Sequence, residues 1–185
     1  MVGDGHTMGF YPLCGKLYSD ACVIQAGQIC VSKNLLTRPL GHHIEGFYEY
    51  VVPPLEGFWW QDDTDGVNYS EKASFHWISV IRLPDFVTKD DFEWAVQTAT
   101  KKKKLDCSSA EFLTVDEGLC VQIMHLGSFD DEPATVEIMD KYIHENGYVN
   151  DINDKRLHHE IYMSDARKVA PEKWKTVIRH PIRRA

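Results

Sequence analysis

The chain has 185 residues, a formal net charge of −8 and an apolar fraction of 43%. This length fits one domain, or two small halves that share a core. The acidic balance argues against nucleic acid or an anionic membrane as a partner. No apolar run approaches the roughly 18 residues that a membrane-spanning helix needs, and the start lacks the basic and apolar regions of a signal peptide.

The cysteine content is typical of free thiols in a reducing compartment. There are five cysteines, an odd number, and no Cys-x-x-Cys pair occurs among them. This pattern does not resemble a disulfide framework. We therefore expect a cytoplasmic protein without structural disulfides.

Hydrophobic periodicity predicts helices and strands that alternate along the chain. The predicted helices cover residues of about 16–31, 88–104 and 132–145. The predicted strands cover residues 47–52, 75–83, 112–115, 119–126, 157–163 and 173–180. Strands separated by helices in this order favour an antiparallel or mixed sheet with helices on one face, an α+β fold.

Local signals mark several of these boundaries. Proline predicts strand ends after 52, 83 and 180. Thr88 can cap the second helix, and a lysine run closes it at the negative end of its dipole. The segment Asp116-Glu117-Gly118 predicts a hairpin that joins the strands 112–115 and 119–126.

The predicted strand 157–163 carries a carboxylate in an unusual place. Alternation puts Glu160 and Tyr162 on one face together with His158, while His159 lies on the other face. Glu is depleted in strands and rarely buried without a partner. Glu160 either points to water from a half-exposed sheet or stands in a ligand cleft with Tyr162 beside it.

Motifs for a metal, a phosphate or a nucleophilic side chain are not found. The adjacent His158 and His159 point to opposite faces of a strand and cannot both bind one ion without distortion. No His-Glu-x-x-His, glycine-rich or Gly-x-Ser-x-Gly pattern occurs. We expect neither a metal site nor a cofactor.

Aromatic residues are dense around residues 58–77. They either fill a core or line a cleft for a flat apolar ligand. A cleft walled by tryptophan and carrying a carboxylate would favour lipophilic cations. The same carboxylate could instead orient or deprotonate a water molecule, and it would be a better base if burial raised its pKa toward the working pH.

Long motifs in this chain resemble the GyrI-like small-molecule-binding proteins. They are the segments 47–60 (FYEYVVPPLEGFWW), 117–127 (EGLCVQIMHLG) with 131–134 (DEPA), and 158–165 (HHEIYMSD) with 173–176 (KWKT). The resemblance covers residues of about 46–182. More narrowly, these motifs resemble the free-standing branch that includes hydrolases of cyclopropane-bearing genotoxins.

The resemblance implies two β-α-β-β modules related by a pseudo-twofold, with a ligand cleft between them. The first module would cover residues of about 1–84, a connecting helix 85–110, and the second module 111–185. The chain starts at the Gly3-Asp4-Gly5 turn, so the first module is expected to lack its first strand.

The resemblance also implies roles for individual residues. Glu160 would be the base or water-orienting acid, and Tyr162 its hydrogen-bond or proton partner. The expected cleft wall consists of Phe58, Trp59, Trp60 and Trp77. Glu56 and His125 fall in the matched motifs and are ligand-site candidates without an assigned role.

Two functions follow from the resemblance, and the sequence leaves both open. One is binding of lipophilic xenobiotics with hydrolytic opening of a strained cyclopropane, in which the protein places a water molecule and excludes bulk solvent. The alternative is a drug-binding or effector-sensing module that performs no catalysis and acts through a partner protein.

Overall fold

The computed structural model describes residues 21–23, 43–62, 66–103, 107 and 110–185. The strands are β1 (Ala21–Val23), β2 (Leu55–Trp60), β3 (His76–Arg82), β4 (Glu111–Leu113), β5 (Cys120–Leu126), β6 (Tyr148–Asn150), β7 (His158–Tyr162) and β8 (Lys175–Arg184), and the helices are α1 (Lys89–Lys103) and α2 (Glu132–Glu145). Antiparallel pairing with separate helices makes this an α+β protein, as predicted.

The chain divides into two compact units. The first unit contains Phe58–Trp77 and Glu117–Ala185, and the second contains Leu17–Gly57 and Ile78–Asp116. Strands β2 and β3 therefore each contribute residues to both units. The boundaries of the two modules that the resemblance implies stay a prediction, because the compact units are defined differently from those modules.

The first unit is built on strand β8. Strand β7 pairs with one edge of β8 and β5 with the other, both antiparallel, and β2 lies next to β7. Helix α2 begins with a proline in its first turn. Its Val136, Met139 and Ile143 pack against Ile123 of β5 and Ile178 of β8. This core holds α2 against one face of the strands that carry the candidate site.

The second unit has the strand order β4-β1-β3. Helix α1 packs its Phe92, Ala95 and Ala99 into a core with residues that follow β3. Its start is fixed by reciprocal hydrogen bonds, since the Thr88 hydroxyl accepts from the Asp91 amide and the Asp91 carboxylate accepts from the Thr88 amide. The predicted cap at Thr88 is confirmed.

Two early predictions are wrong where the structure describes them. Ala21–Val23 form a strand between β3 and β4, although a helix was expected over 16–31; the rest of that helix, and the Gly3-Asp4-Gly5 turn, lie outside the described residues. Residues 47–52 are irregular, and the strand comes after Pro53-Pro54, at Leu55. Phe47 and Val52 pack against the core of the second unit without forming a ladder.

Two later predictions also fail because pairing partners are distant in sequence. Strand β4 pairs with β1 and β5 pairs with β8, so the two do not form a hairpin. The last strand continues through Pro181, which lies opposite Cys120. Proline lacks an amide hydrogen, but the Pro181 carbonyl still accepts from Asp151, and β8 goes on to pair with β6.

The core of the first unit predicts the effect of truncation in α2. Met139 is fully buried, so Met139→Ala should lower the free energy of unfolding by about 2–5 kcal/mol through lost burial and a cavity. The matched control is Ile138→Ala on the exposed side of the same helix, where 43% of the side chain is exposed and a change within about 0.5 kcal/mol is expected. Denaturant unfolding measures both, and equal losses would contradict the packing described.

Candidate functional site

Strand β7 places three polar side chains on the face that α2 covers. This face carries every second residue of β7, as predicted, namely His158, Glu160 and Tyr162. Glu160 is only 7% exposed. His158 and His159 lie on opposite faces and bind different carboxylates, Glu160 and Glu117. The exposed position considered for Glu160 is therefore excluded.

Each oxygen of the Glu160 carboxylate accepts a separate hydrogen bond. His158 Nε2 lies 2.9 Å from Oε1, and the Tyr162 hydroxyl donates to Oε2 at 2.7 Å. Tyr162 is itself oriented by Trp59, whose indole Nε1 donates to the hydroxyl oxygen at 2.9 Å. Sequence reasoning anticipated Tyr162 and Trp59 near Glu160, and the structure brings them together with it.

A chain of hydrogen bonds fixes which nitrogen of His158 carries the proton. The Ile152 amide donates to Asn150 Oδ1, so Asn150 Nδ2 is the atom that faces His180 Nδ1, at 3.4 Å. His180 Nε2 then donates to His158 Nδ1 at 2.7 Å. His158 Nδ1 is therefore an acceptor, and Nε2 carries the hydrogen that Glu160 accepts. Burial holds the pKa of His180 well below its usual range, consistent with a neutral ring.

A second acid, Glu132, lies beside Glu160. Glu132 is the first residue of α2, is 3% exposed, and lies within hydrogen-bonding reach of the Glu160 side chain. Burial and the neighbouring Glu160 charge raise the pKa of Glu132 to about 9. Burial alone would raise the pKa of Glu160 as well, but the hydrogen bond from His158, the electrostatic interaction with His158 and the hydrogen bond from Tyr162 outweigh burial and lower it. The carboxyl with the raised pKa is thus Glu132, while Glu160 is the anion.

Trp59 connects the Glu160–Tyr162 pair to further aromatic rings on one side. The Trp59 ring lies 5.9 Å from Phe75 and 6.0 Å from Trp77, and Trp77 is 50% exposed. Such spacing is typical of interacting aromatic pairs. Two of the predicted wall residues, Trp59 and Trp77, therefore lie together, and Trp59 is connected to the carboxylate through Tyr162.

A second group of rings flanks Tyr162 from the turn after β5. Phe129 lies 5.9 Å from the Tyr162 ring and 4.7 Å from Trp174, and it is 40% exposed. Trp174 is held by a hydrogen bond from its indole nitrogen to the Val169 carbonyl. Sequence reasoning did not assign Phe129 or Trp174, because both are separated from Tyr162 in sequence and lie outside its strand.

His125 fixes the turn that carries Phe129. Its Nδ1 lies 2.8 Å from the Thr135 hydroxyl and its Nε2 lies 2.9 Å from the Ser128 carbonyl oxygen, so both ring nitrogens have partners within the protein. Gly127 adopts a φ of +136°, and a Cβ there would lie 3.4 Å from the His125 ring. The structure thus gives this ligand-site candidate an anchoring position.

Other predicted wall residues lie on the opposite face of the sheet. Phe58 stacks on His159 with ring centroids 4.1 Å apart, and Trp60 stacks on His76 at 5.5 Å. Successive residues of a strand point to opposite faces, so Trp59 alone of residues 58–60 faces Glu160. Glu56, also on β2, belongs to the second unit. The structure therefore places Phe58 and Trp60 on the face opposite the carboxylate.

Beneath Phe58, the opposite face carries its own buried ion pair. His159 Nδ1 lies 2.8 Å from Glu117 Oε1, and Arg179 donates to Glu117 Oε2 at 2.6 Å. Arg179 also donates to Gln122 Oε1 through Nε and Nη2. Despite burial, His159 and Arg179 hold the pKa of Glu117 below its usual value.

Of the residues that sequence reasoning left unassigned, His158 had a usable signal, because alternation put it on the face of Glu160. Glu132 had no such signal in the sequence, because an acidic residue before Pro133 is expected at the start of many helices. Among the described residues, no group of three or more His, Cys, Asp or Glu side chains could hold a metal ion. Within the same ranges, neither helix is long and apolar enough to cross a bilayer.

Comparison with known proteins identifies relatives. The model of the GyrI-like small molecule binding domain matches residues 34–183. A structure described as an uncharacterized conserved protein from Listeria innocua is 33% identical, with 94% of this chain and 92% of that chain covered and a TM-score of 0.83. A second structure, described as a hydrolase from Listeria innocua, is 32% identical over 94% and 91% of the chains, with a TM-score of 0.79.

A more distant structure shares the fold alone. The EcmrR C-terminal domain is 11% identical over 97% of this chain and 98% of that chain, with a TM-score of 0.53. The search among curated proteins found no match.

The bond between Tyr162 and Glu160 predicts a pH-dependent loss of stability. The lowered pKa of Glu160 contributes stability above its unfolded value of about 4.3, and this contribution is lost as the pH falls through the folded value. Tyr162→Phe removes one donor to the anion, so we expect a loss of about 1.5–3 kcal/mol at pH 7. The loss should shrink as the pH falls through the folded pKa of Glu160, because the protonated acid needs this donor less.

Denaturant unfolding measured from pH 7 downward follows this difference. The matched control is Tyr148→Phe, which keeps the ring that lies 4.7 Å from the Arg184 guanidinium carbon and should change little over the same range. A Tyr162→Phe loss that stays unchanged as Glu160 becomes protonated would show that the hydroxyl does not stabilise the Glu160 anion.

Proposed function

Because the chain belongs to the family of GyrI-like small-molecule-binding domains, we propose that it binds lipophilic aromatic molecules against Glu160 and prefers cations. The observation that carries this proposal is the buried Glu160 carboxylate, which has a lowered pKa and accepts hydrogen bonds from His158 and Tyr162. Neither of these donors carries the permanent positive charge of a lysine or an arginine. A ligand cation would supply the opposite charge.

The aromatic rings around Glu160 support the same ligand class. Trp77 and Phe129 are both partly exposed, and each contacts a ring that is hydrogen-bonded in the Glu160 network, Trp59 or Tyr162. Flat apolar groups stack on such rings, and a cation over an aromatic face gains about 0.5–2 kcal/mol. The proposed ligand contacts are Glu160, Tyr162, Trp59, Trp77, Phe129 and Trp174.

A second candidate function is hydrolytic opening of a cyclopropane-bearing electrophile. In this reaction a water oxygen bonds to the cyclopropyl carbon, a strained carbon–carbon bond breaks, and its electron pair converts a dienone into a phenolate. The water proton is transferred in turn to the phenolate, so that the products are an alcohol and a phenol. The resemblance to the Listeria innocua protein described as a hydrolase favours this reaction.

The geometry suits Glu160 to orienting that water molecule. A carboxylate with a lowered pKa is a weak base, but it accepts a hydrogen bond from water and stabilises positive charge that develops on the attacking oxygen. The Tyr162 hydroxyl stands next to it and offers an oxygen on the same face. If no turnover occurs, the protein acts as a binding module through a partner protein.

The preference for cations is tested with a pair of isosteric ligands. Benzyltrimethylammonium has a charged nitrogen where neopentylbenzene has a neutral carbon, and the two are otherwise alike. The ratio of their affinities therefore measures the effect of the ligand's charge on binding. We expect wild type to favour the cation, and Glu160→Gln to reduce that ratio about tenfold, equivalent to about 1.4 kcal/mol. Quenching of tryptophan fluorescence measures both affinities.

The matched control is Glu117→Gln, which removes a buried carboxylate on the opposite face of β7. It should leave the affinity ratio unchanged, even if it lowers stability. An equal affinity for the two ligands in wild type would contradict the proposed preference for cations.

Hydrolysis is tested by single turnover with a spiro-cyclopropyl dienone. We expect wild type to remove the dienone absorbance, and Glu160→Gln to slow this by about 10²-fold or more while aromatic binding persists. Absorbance detects the ring opening, and tryptophan quenching detects the binding. Binding without loss of dienone in wild type would exclude the hydrolase and leave the binding module.

A further inference from the structure

Glu132 and Glu160 lie within hydrogen-bonding reach of each other, and a hydrogen bond between them requires a proton on one of the two. Both side chains are carboxyl groups, and both are buried. Ionised carboxylates only accept hydrogen bonds, so one of the two must be protonated for this bond to form. Two buried carboxyl groups this close are most stable when they share one proton, because two neighbouring anions would repel each other.

The other partners of the two acids decide which one carries it. Glu160 accepts from His158 Nε2 and from the Tyr162 hydroxyl, and these donors stabilise its anionic form. Glu132 Oε1, by contrast, is buried without a hydrogen-bond partner among the residues that the structure describes. An anion in that position would be expensive, whereas a neutral acid that donates to Glu160 is satisfied at its hydroxyl.

The groups that surround Glu132 come from several elements. Strand β7 contributes Glu160 and Tyr162. His158 and His180 lie behind Glu160, and Asp140 of α2 lies near Tyr69. Tyr69 approaches from the segment before β3, and its hydroxyl is also buried without a partner in the described part of the chain. Burial, and after it the neighbouring acids, raise the pKa of Tyr69, so its hydroxyl stays protonated.

We propose that Glu132 is a positioning residue of this site, which stays protonated at neutral pH and donates to Glu160, so that the two acids together carry one negative charge. The effect on ligand binding rests on the proposed function, but the position of the proton does not. Burial beside Glu160 raises the pKa of Glu132 to about 9, which agrees with this assignment. The shared proton keeps Glu160 in place without cancelling its charge.

Infrared spectroscopy detects the proton directly. At pH 7 wild type should show the carbonyl band of a protonated carboxylic acid, shifted by exchange into D₂O and lost as the pH rises through about 9. Glu132→Gln should lack this band. A wild-type spectrum without the band at pH 7 would overturn the proposal, and this measurement needs no variant to fold.

The pH dependence of stability gives an independent readout. The folded pKa of Glu132 is raised, so the folded state holds a proton that the unfolded state releases above about pH 4.3, and stability falls as the pH rises toward 9. The unfolding constant of wild type relative to Glu132→Gln should rise by up to about tenfold per pH unit in this range. A ratio that stays constant from pH 5 to pH 9 would overturn the proposal.

The matched control is Glu137→Gln, at an exposed position of the same helix. The unfolding constant of wild type relative to this variant should not follow the steep course expected for Glu132→Gln. A similar slope in both comparisons would show that the pH dependence does not come from the buried acid pair.

The pH dependence of cation affinity tests whether the proton on Glu132 affects ligand binding. Benzyltrimethylammonium has a fixed charge, so any change in its affinity with pH reports on the protein. In wild type the affinity should rise by about tenfold as the pH passes through about 9 and Glu132 ionises, and this rise should be absent in Glu132→Gln. A cation affinity that stays flat in wild type would show that Glu132 does not set the charge of the site.

The experiments separate the two proposals. If wild type binds no benzyltrimethylammonium at any pH, the proposed function fails, while the infrared band and the stability profile still decide where the proton lies. If the band is absent but the cation binds, the shared proton is wrong and the proposed function stands.

Discussion

The first unit depends on the burial of one negative charge, the Glu160 carboxylate. An unpaired ion in a protein interior costs several kcal/mol unless donors replace the water that it loses. Here His158 and Tyr162 donate to its two oxygens, and each donor is held by a further partner, His180 or Trp59. Because every member needs the next, a polar core of this kind is ordered only when the strands and rings around it are in place.

Strand β7 carries separate polar networks on its two faces. On one face His158 belongs to the Glu160 network, and on the other His159 bonds to Glu117, which also pairs with Arg179. A slip of one residue would exchange the faces and leave both networks broken. The paired histidines therefore help to specify the register of β7. These two hydrogen-bond networks explain why two adjacent histidines are both buried.

The two acids on the Glu160 face differ in charge because their partners differ. Burial opposes ionisation of both, and only Glu160 has donors that outweigh it, so its pKa falls while that of Glu132 rises to about 9. A base with a raised pKa would have been suited to proton abstraction. The lowered pKa of Glu160 instead suits this carboxylate to attracting a cation or orienting a water molecule. Glu160 is therefore suited to an electrostatic role more than to the abstraction of a proton.

Local patterns in the sequence determined the α+β class, the helix after Thr88, helix α2 and the shared face of Glu160 and Tyr162, because periodicity and capping act over a few residues. They failed for the partners of β4 and β5 and for the continuation of β8 through Pro181, since strand pairing is decided by residues far apart in the chain. Tertiary structure alone decided that Glu132 meets Glu160 and that Phe129 and Trp174 meet near Tyr162. These contacts join a helix start, a turn and a strand, and no spacing within any one of those elements encodes them.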